Sequence, residues 1–142
     1  MSKIVKIALG ASGGVLLGVL GFAFTLAIAK GVNYGPVTGL TMFFTSPFFM
    51  LLYIVVLFNT MIPAGLITGT AAGFCAAFIP KPWSLVVCGA VGVCCGGFSG
   101  VRFIDIIYEA NDTMTDLVAG GIASAIFLGL AGVGLCRILT RK

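Results

Sequence analysis

The acidic residues of this 142-residue chain are concentrated in a single segment. Together with the basic residue that precedes them, they are Arg102, Asp105, Glu109, Asp112 and Asp116. The acidic residues follow one another at intervals of four, three and four, which places them on one face if a helix runs through all of them. Acidic side chains inside a bundle of membrane helices often line ion or proton pathways. These five residues are therefore the candidate polar or ion site.

A second interpretation places the same acidic segment in water. As a solvated loop it keeps negative charge on one side of the membrane, and Asn111 or Asp112 caps the helix that follows, because Asn and Asp favour that position. Arg102 then pairs with Asp105 or extends its guanidinium to the membrane interface. The sequence is consistent with both interpretations.

The other reactive residues form no catalytic constellation. The chain has no histidine, which excludes Ser/His and Cys/His catalysis, and it has no phosphate-binding loop, dinucleotide fingerprint or metal-ligand cluster. The adjacent Cys94 and Cys95 could form a redox or palmitoylation site. However, all five cysteines lie in apolar stretches, which is typical of small, buried packing residues. We expect no enzymatic activity, no metal, and no cofactor other than structural lipids.

The composition indicates an all-α polytopic membrane protein. Hydrophobic residues make up 60% of the chain and charged residues 8%, whereas soluble domains carry about 25% charged residues. The eight basic residues are scattered near the ends of apolar stretches, where they bear on membrane orientation, and no basic cluster predicts binding of nucleic acid. We expect one transmembrane domain over residues 1–142, a bundle of four or five helices.

Glycine recurs at intervals of four along this chain. With 21 glycines, chance predicts about 0.4 triples at this spacing, which is the contact signature of membrane helices. The triples found are Gly10/Gly14/Gly18, Gly31/Gly35/Gly39, Gly65/Gly69/Gly73 and Gly92/Gly96/Gly100, and Gly121 and Gly129 continue the pattern around Ala125. Pro36 interrupts one triple. The others predict glycine-zipper faces, on which small residues let two helix backbones approach closely.

The apolar stretches predict spans at about 4–29, 40–58, 62–79, 84–108 and 117–139. Residues 40–79 carry no charge and would extend about 60 Å as one helix, twice the hydrocarbon thickness. A hairpin with Asn59, Thr60 and Pro63 in its turn would divide them. The alternative is one kinked span from Phe48 onward, after an interfacial segment. Length favours five spans and the basic residues favour four; we expect five, with four as the alternative.

One tract resembles part of the signature of the Tim17/Tim22/Tim23 family. It reads Asn111-Asp112-Thr113-Met114-Thr115-Asp116-Leu117-Val118-Ala119-Gly120-Gly121, and Gly96-Gly97-Phe98-Ser99 is similar to the helix that precedes it in that family. The resemblance implies a subunit of an inner-mitochondrial-membrane translocase or an accessory subunit of respiratory complex I, and it carries over Asp112. The family has an arginine four residues before this aspartate, where this chain has Tyr108.

Two functions follow as expectations. In the first, the chain is a non-catalytic membrane subunit that packs in or helps assemble a larger complex. Its partners are other membrane subunits and lipids, in a homo- or hetero-oligomer. In the second, it is a small channel, protein translocase or transporter component that uses residues 105–116. The membrane is the mitochondrial inner membrane or a bacterial plasma membrane.

Overall fold

The computed structural model describes residues 1–107 and 114–141, and these residues form six helices and no strand. The helices are α1 (Lys3–Tyr34), α2 (Pro36–Leu52), α3 (Ile54–Asn59), α4 (Met61–Phe78), α5 (Trp83–Ile107) and α6 (Met114–Thr140). In this part of the chain, four helical stretches are long and apolar enough to cross a membrane, namely Lys3–Tyr34, Ile54–Phe78, Trp83–Ile106 and Met114–Thr140. The expected all-helical class is confirmed, and these lengths are compatible with a multi-pass membrane protein.

Helices α1, α4, α5 and α6 form the bundle. The most extensive contacts join α5 to α6 and α1 to α4, and α1 also packs on α6 and α4 on α5. The buried apolar side chains form two clusters, one of them around Phe22, Met61 and Phe103 from three different helices. Consecutive helices of this bundle run in opposite directions: Gly10 lies against Gly73 and Gly18 against Met61, and Gly92 lies against Gly129 and Gly100 against Gly120. This arrangement brings residues that are distant in sequence to the same end of the bundle.

The middle of the chain departs from the expected hairpin. The predicted span 40–58 is not one helix, because α2 ends at Leu52 and α3 begins at Ile54. Helix α3 instead continues into α4 as the stretch Ile54–Phe78, with an interruption at Thr60. By length and hydropathy, the described residues therefore contain four helical stretches that could cross a membrane, the lower of the two expected numbers. Helix α2, with 17 residues, is about 25 Å long, shorter than the hydrocarbon core.

Proline explains why the helix is interrupted near Thr60. Pro63 lies in the first turn of α4, where a missing N–H is tolerated, but it cannot donate to the carbonyl of Asn59 and its ring crowds that carbonyl. The helix therefore breaks at Thr60, between α3 and α4. Pro47 similarly lies inside α2, where the Ser46 hydroxyl donates to the Phe43 carbonyl at 2.7 Å and satisfies an acceptor that Pro47 leaves open.

The connection between α1 and α2 is a tight turn at Gly35. Gly35 has a φ of +97°, a left-handed conformation that glycine adopts without a steric penalty. Helix α1 extends to Tyr34, beyond the predicted end of the first span at residue 29. The turn folds α2 back along the C-terminal part of α1, so α2 packs mainly on that helix.

Candidate functional site

The first candidate contact joins α1 and α4 through glycine. A Cβ built on Gly10 would lie 2.9 Å from the Cα of Gly73, and one on Gly14 would lie 2.8 Å from the Cα of Gly69. A Cβ on Gly18 would lie 2.5 Å from the carbonyl oxygen of Met61. Real Cβ atoms are essentially never found closer than 3.0 Å to such atoms. The two backbones therefore approach at a distance that only glycine accommodates.

The second candidate contact joins α5 and α6. A Cβ on Gly92 would lie 2.9 Å from the Cα of Gly129, and a Cβ on Gly100 would lie 2.6 Å from the carbonyl oxygen of Gly120. Gly96 faces the backbone of residues 124 and 125 in the same way. On α6, a Cβ built on either of the predicted packing residues Gly121 and Gly129 would lie closest to a side chain of α5. Val93 packs on Gly129, and Val101 packs 2.8 Å from the position of a Cβ on Gly121.

A third glycine contact joins α1 to α2. A Cβ on Gly39 would lie 3.0 Å from the Cα of Gly31, so two members of the triple that Pro36 interrupts meet across the turn. Beside this contact lies an apolar groove with a volume of about 610 Å³. Its walls include Ala27 and Val32 of α1 and Leu40 of α2. The sequence did not predict this groove, because it depends on the reversal at Gly35.

The bundle interior also contains a polar contact that the sequence did not predict. The hydroxyls of Ser99 and Ser124 lie 3.8 and 3.9 Å from the sulfur of Met61. Ser99 also donates to the carbonyl of Gly96 at 3.2 Å. All three side chains are buried, and they come from α5, α6 and α4. This contact ties three helices together near the centre of the bundle.

The acidic segment is divided between two helices. Asp105 is exposed near the end of α5, whereas Asp116 is buried in the first turn of α6, where the positive end of the helix dipole favours a carboxylate. Glu109 and Asp112 lie outside the described residues. Because α5 and α6 are antiparallel, Asp105 and Asp116 do not share one continuous helical face. They do lie at the same end of the bundle.

Arg102 lines a cleft between α3, α4 and α5. The cleft has a volume of about 300 Å³, and Asn59, Thr60 and Ser99 supply the other polar side chains of its wall. Thr60 already donates to the carbonyl of Val56 at 2.7 Å. No ion pair joins Arg102 to Asp105, so the first of the two expectations for this arginine is not met. Asn59 and Thr60, predicted as part of a turn, thus lie beside an arginine distant in sequence.

The opposite end of the bundle carries most of the basic residues. Lys6 donates from its Nζ to the carbonyl of Ala76 at 3.3 Å, and the Lys3 ammonium lies 4.6 Å from the centre of the Phe78 ring. These contacts place the start of α1 beside the end of α4. The basic residues described at this end are Lys3, Lys6, Lys81, Arg137 and Arg141.

The cysteines divide into buried and surface residues. Cys75, Cys88 and Cys136 are buried together with Ala72 in the second apolar cluster, as expected of packing residues. Cys94 is exposed on α5, and its neighbour Cys95 lines the cleft beside Arg102. All five thiols are free. Within residues 1–107 and 114–141, no group of three or more His, Cys, Asp or Glu side chains is arranged to hold a metal ion.

Comparisons with known proteins give no assignment for this arrangement. No protein-family model, no curated protein and no solved structure matches the chain.

Proposed function

We propose that this protein is a non-catalytic integral membrane subunit that packs in, or helps to assemble, a larger membrane protein complex. In this proposal the glycine contacts act as glycine zippers. They hold α1 to α4 and α5 to α6 so closely that the four long helices form a rigid unit. Small residues at helix contacts are the usual means of close packing in membranes, where the hydrophobic effect does not draw helices together.

The observation that carries the proposal is the surface formed by α1 and α2. Helix α2 is short and apolar, and no charge occurs between Lys30 and Lys81. It packs mainly on α1 and leaves the groove of about 610 Å³ open beside Gly31 and Gly39. A transmembrane helix of a second subunit would fill this groove, because its wall is apolar. Helix α2 would then be enclosed between two subunits.

A photocrosslinking experiment tests this surface. A benzoylphenylalanine at Leu40, which is exposed and lines the groove, should form one discrete protein adduct in native membranes. The same probe at Leu16, which is exposed on α1 outside that groove, is the matched control and should give no such adduct. After mild solubilisation, native mass spectrometry should show the adduct partner in a fixed stoichiometry. A monodisperse monomer without an adduct at position 40 would contradict the proposal.

A second candidate function is a channel, protein translocase or transporter component. It is supported by the buried Asp116 at the end of the bundle that also carries Asp105 and Arg102, since acids inside membrane bundles often serve ion pathways. The resemblance to the Tim17/Tim22/Tim23 family points in the same direction. Flux through proteoliposomes should then fall when Asp116 is replaced by Asn. Lys81→Gln, at the other end, is the control. The absence of any flux in the wild type would exclude this function.

A further inference from the structure

We infer that the cleft beside Arg102 is a binding site for one phospholipid, with the lipid phosphate held by Arg102 and Asn59 and an acyl chain lying deeper between α4 and α5. This site is separate from the proposed subunit surface on α1 and α2.

The charge of the cleft favours an anion. Among the described residues that line the cleft, Arg102 is the single charged one. Its guanidinium has five N–H donors that match the geometry of a phosphate. In the described part of the chain, neither the Arg102 side chain nor that of Asn59 makes a hydrogen bond or an ion pair. The donors of both side chains are therefore open to a ligand, whereas Thr60 and Ser99 use their hydroxyl protons within the protein.

The depth of Arg102 matches that of a lipid phosphate. Trp83 begins α5 and is exposed, as is usual for an aromatic anchor at the membrane interface. Arg102 follows it by nineteen residues in the same helix, which corresponds to about 28 Å along the helix axis. Because the hydrocarbon core is about 30 Å thick, Arg102 lies near the opposite interface. The phosphates of that leaflet lie at the same level.

The cleft is polar at this level and apolar below it. Ile67 lies eight residues beyond Asn59, and Cys95 lies seven residues before Arg102, so both are about 10–12 Å deeper along their helices. Phe98, which is largely exposed, and Ile67 form the apolar part of the wall. A free phosphate would use the upper part of the cleft alone. A phospholipid fits both parts, because its phosphate and acyl chain are arranged in the same order.

Native mass spectrometry of the purified full-length chain, stripped of lipid in detergent, tests the site. The chain is titrated with phosphatidylglycerol, with diacylglycerol that carries the same acyl chains, and with inorganic phosphate. We expect one phosphatidylglycerol to bind the wild type at least about ten-fold more tightly than Arg102→Gln, because charge-assisted hydrogen bonds are lost. Diacylglycerol and inorganic phosphate should bind weakly to both. Arg137→Gln, an exposed arginine at the other end, is the matched control and should bind as the wild type does.

Two outcomes would overturn the inference. Equal binding of phosphatidylglycerol to the wild type and Arg102→Gln would exclude the site, and inorganic phosphate that displaces the lipid would assign the cleft to a free anion. If Arg102→Gln does not fold, as judged by circular dichroism, Ile67→Trp takes its place, because the indole would fill the apolar part. Its control is Leu130→Trp, at an exposed position on α6. Loss of the lipid from Ile67→Trp alone supports the site, and equal retention by both variants excludes it.

Discussion

At the scale of single residues, the absence of a side chain determines how closely α1 and α4 approach. Gly14 faces the carbonyl of Gly65 and the Cα of Gly69. These are backbone atoms and cannot rotate away from an added methyl group. Gly134 of α6 has the opposite environment, because a Cβ there would meet no atom within 4 Å. Alanine substitutions at Gly14 and Gly134 therefore distinguish the steric effect of a methyl group from its effect on helix propensity.

We expect Gly14→Ala to lower the free energy of unfolding. Overpacking a close contact costs about 1–3 kcal/mol, and the clash with backbone places this position at the upper end. Alanine improves helix propensity by at most about 1 kcal/mol, so the steric effect dominates. Steric trapping in bicelles measures the unfolding free energy directly. Gly134→Ala, the matched control, should be neutral or slightly stabilising. Equal effects of both substitutions would show that the α1–α4 contact is looser than the structure indicates.

At the scale of helices, Pro63 determines the shape of the stretch Ile54–Phe78. Without an N–H at Pro63, the carbonyl of Asn59 has no partner in a regular helix, and the chain at Thr60 leaves helical geometry, with a φ of −124°. The resulting break lets α3 contact both α4 and α5. It also brings Asn59 to the wall of the cleft that contains Arg102. The kink thus has a direct consequence for the proposed lipid site.

We expect Pro63→Ala to straighten this stretch. The substitution restores the hydrogen bond from residue 63 to Asn59, and a straight helix would separate the Cα atoms of Val55 and Phe78 by about 35 Å. Both residues are exposed and accept spin labels, in a chain whose native cysteines are replaced by alanine. Electron–electron double resonance should then report a longer distance in Pro63→Ala than in its parent. Pro47→Ala, which alters α2 alone, should leave the distance unchanged, and an unchanged distance in Pro63→Ala would refute this account of the kink.

At the scale of the whole molecule, the bundle has two ends of different charge. One end carries Lys3, Lys6, Lys81, Arg137 and Arg141, and the other carries Lys30 and Arg102 together with Asp105 and Asp116. Four long helices that run in alternating directions bring the N-terminus and the C-terminus to the same end of the bundle. The basic residues near both termini therefore lie together at that end. Basic residues near the ends of spans are retained on the cytoplasmic side of a membrane, or on the matrix side in mitochondria.

We expect both termini to lie on that same side. Short epitope tags added before Met1 and after Lys142 should both be protected in sealed vesicles whose cytoplasmic or matrix face is inside. Both should be cleaved by an added protease in inverted vesicles. A tag on an engineered extension at Gly35, which lies in the α1–α2 turn at the other end, is the control and should show the reverse pattern. Protection of only one terminus would indicate an odd number of crossings and contradict this prediction.

The sequence by itself determined the helical class and the apolar character of the long helices, and it predicted the faces on which they pack. Hydropathy and charge depend on composition, and glycines spaced by four share a face in any α-helix, so Gly10, Gly14 and Gly18 could be assigned to a contact without knowing their partner. The start of α5 at Trp83 and the end of α6 at Thr140 lie within one residue of the predicted bounds, 84 and 139, for the same local reason. The sequence also singled out Arg102 and the acidic residues as the candidate polar site. It did not show that Asp105 and Asp116 belong to different helices at the same end of the bundle.

Only the tertiary structure decided which helices are neighbours. That the Gly14 face meets Gly69 is a long-range pairing that local spacing cannot specify. The chain near Thr60 illustrates the same limit, because Pro63 is compatible with both a turn and a kink, and packing of α3 against the bundle selects the kink. The cleft depends on Asn59 and Arg102, which are distant in sequence and adjacent only once α3, α4 and α5 have packed together.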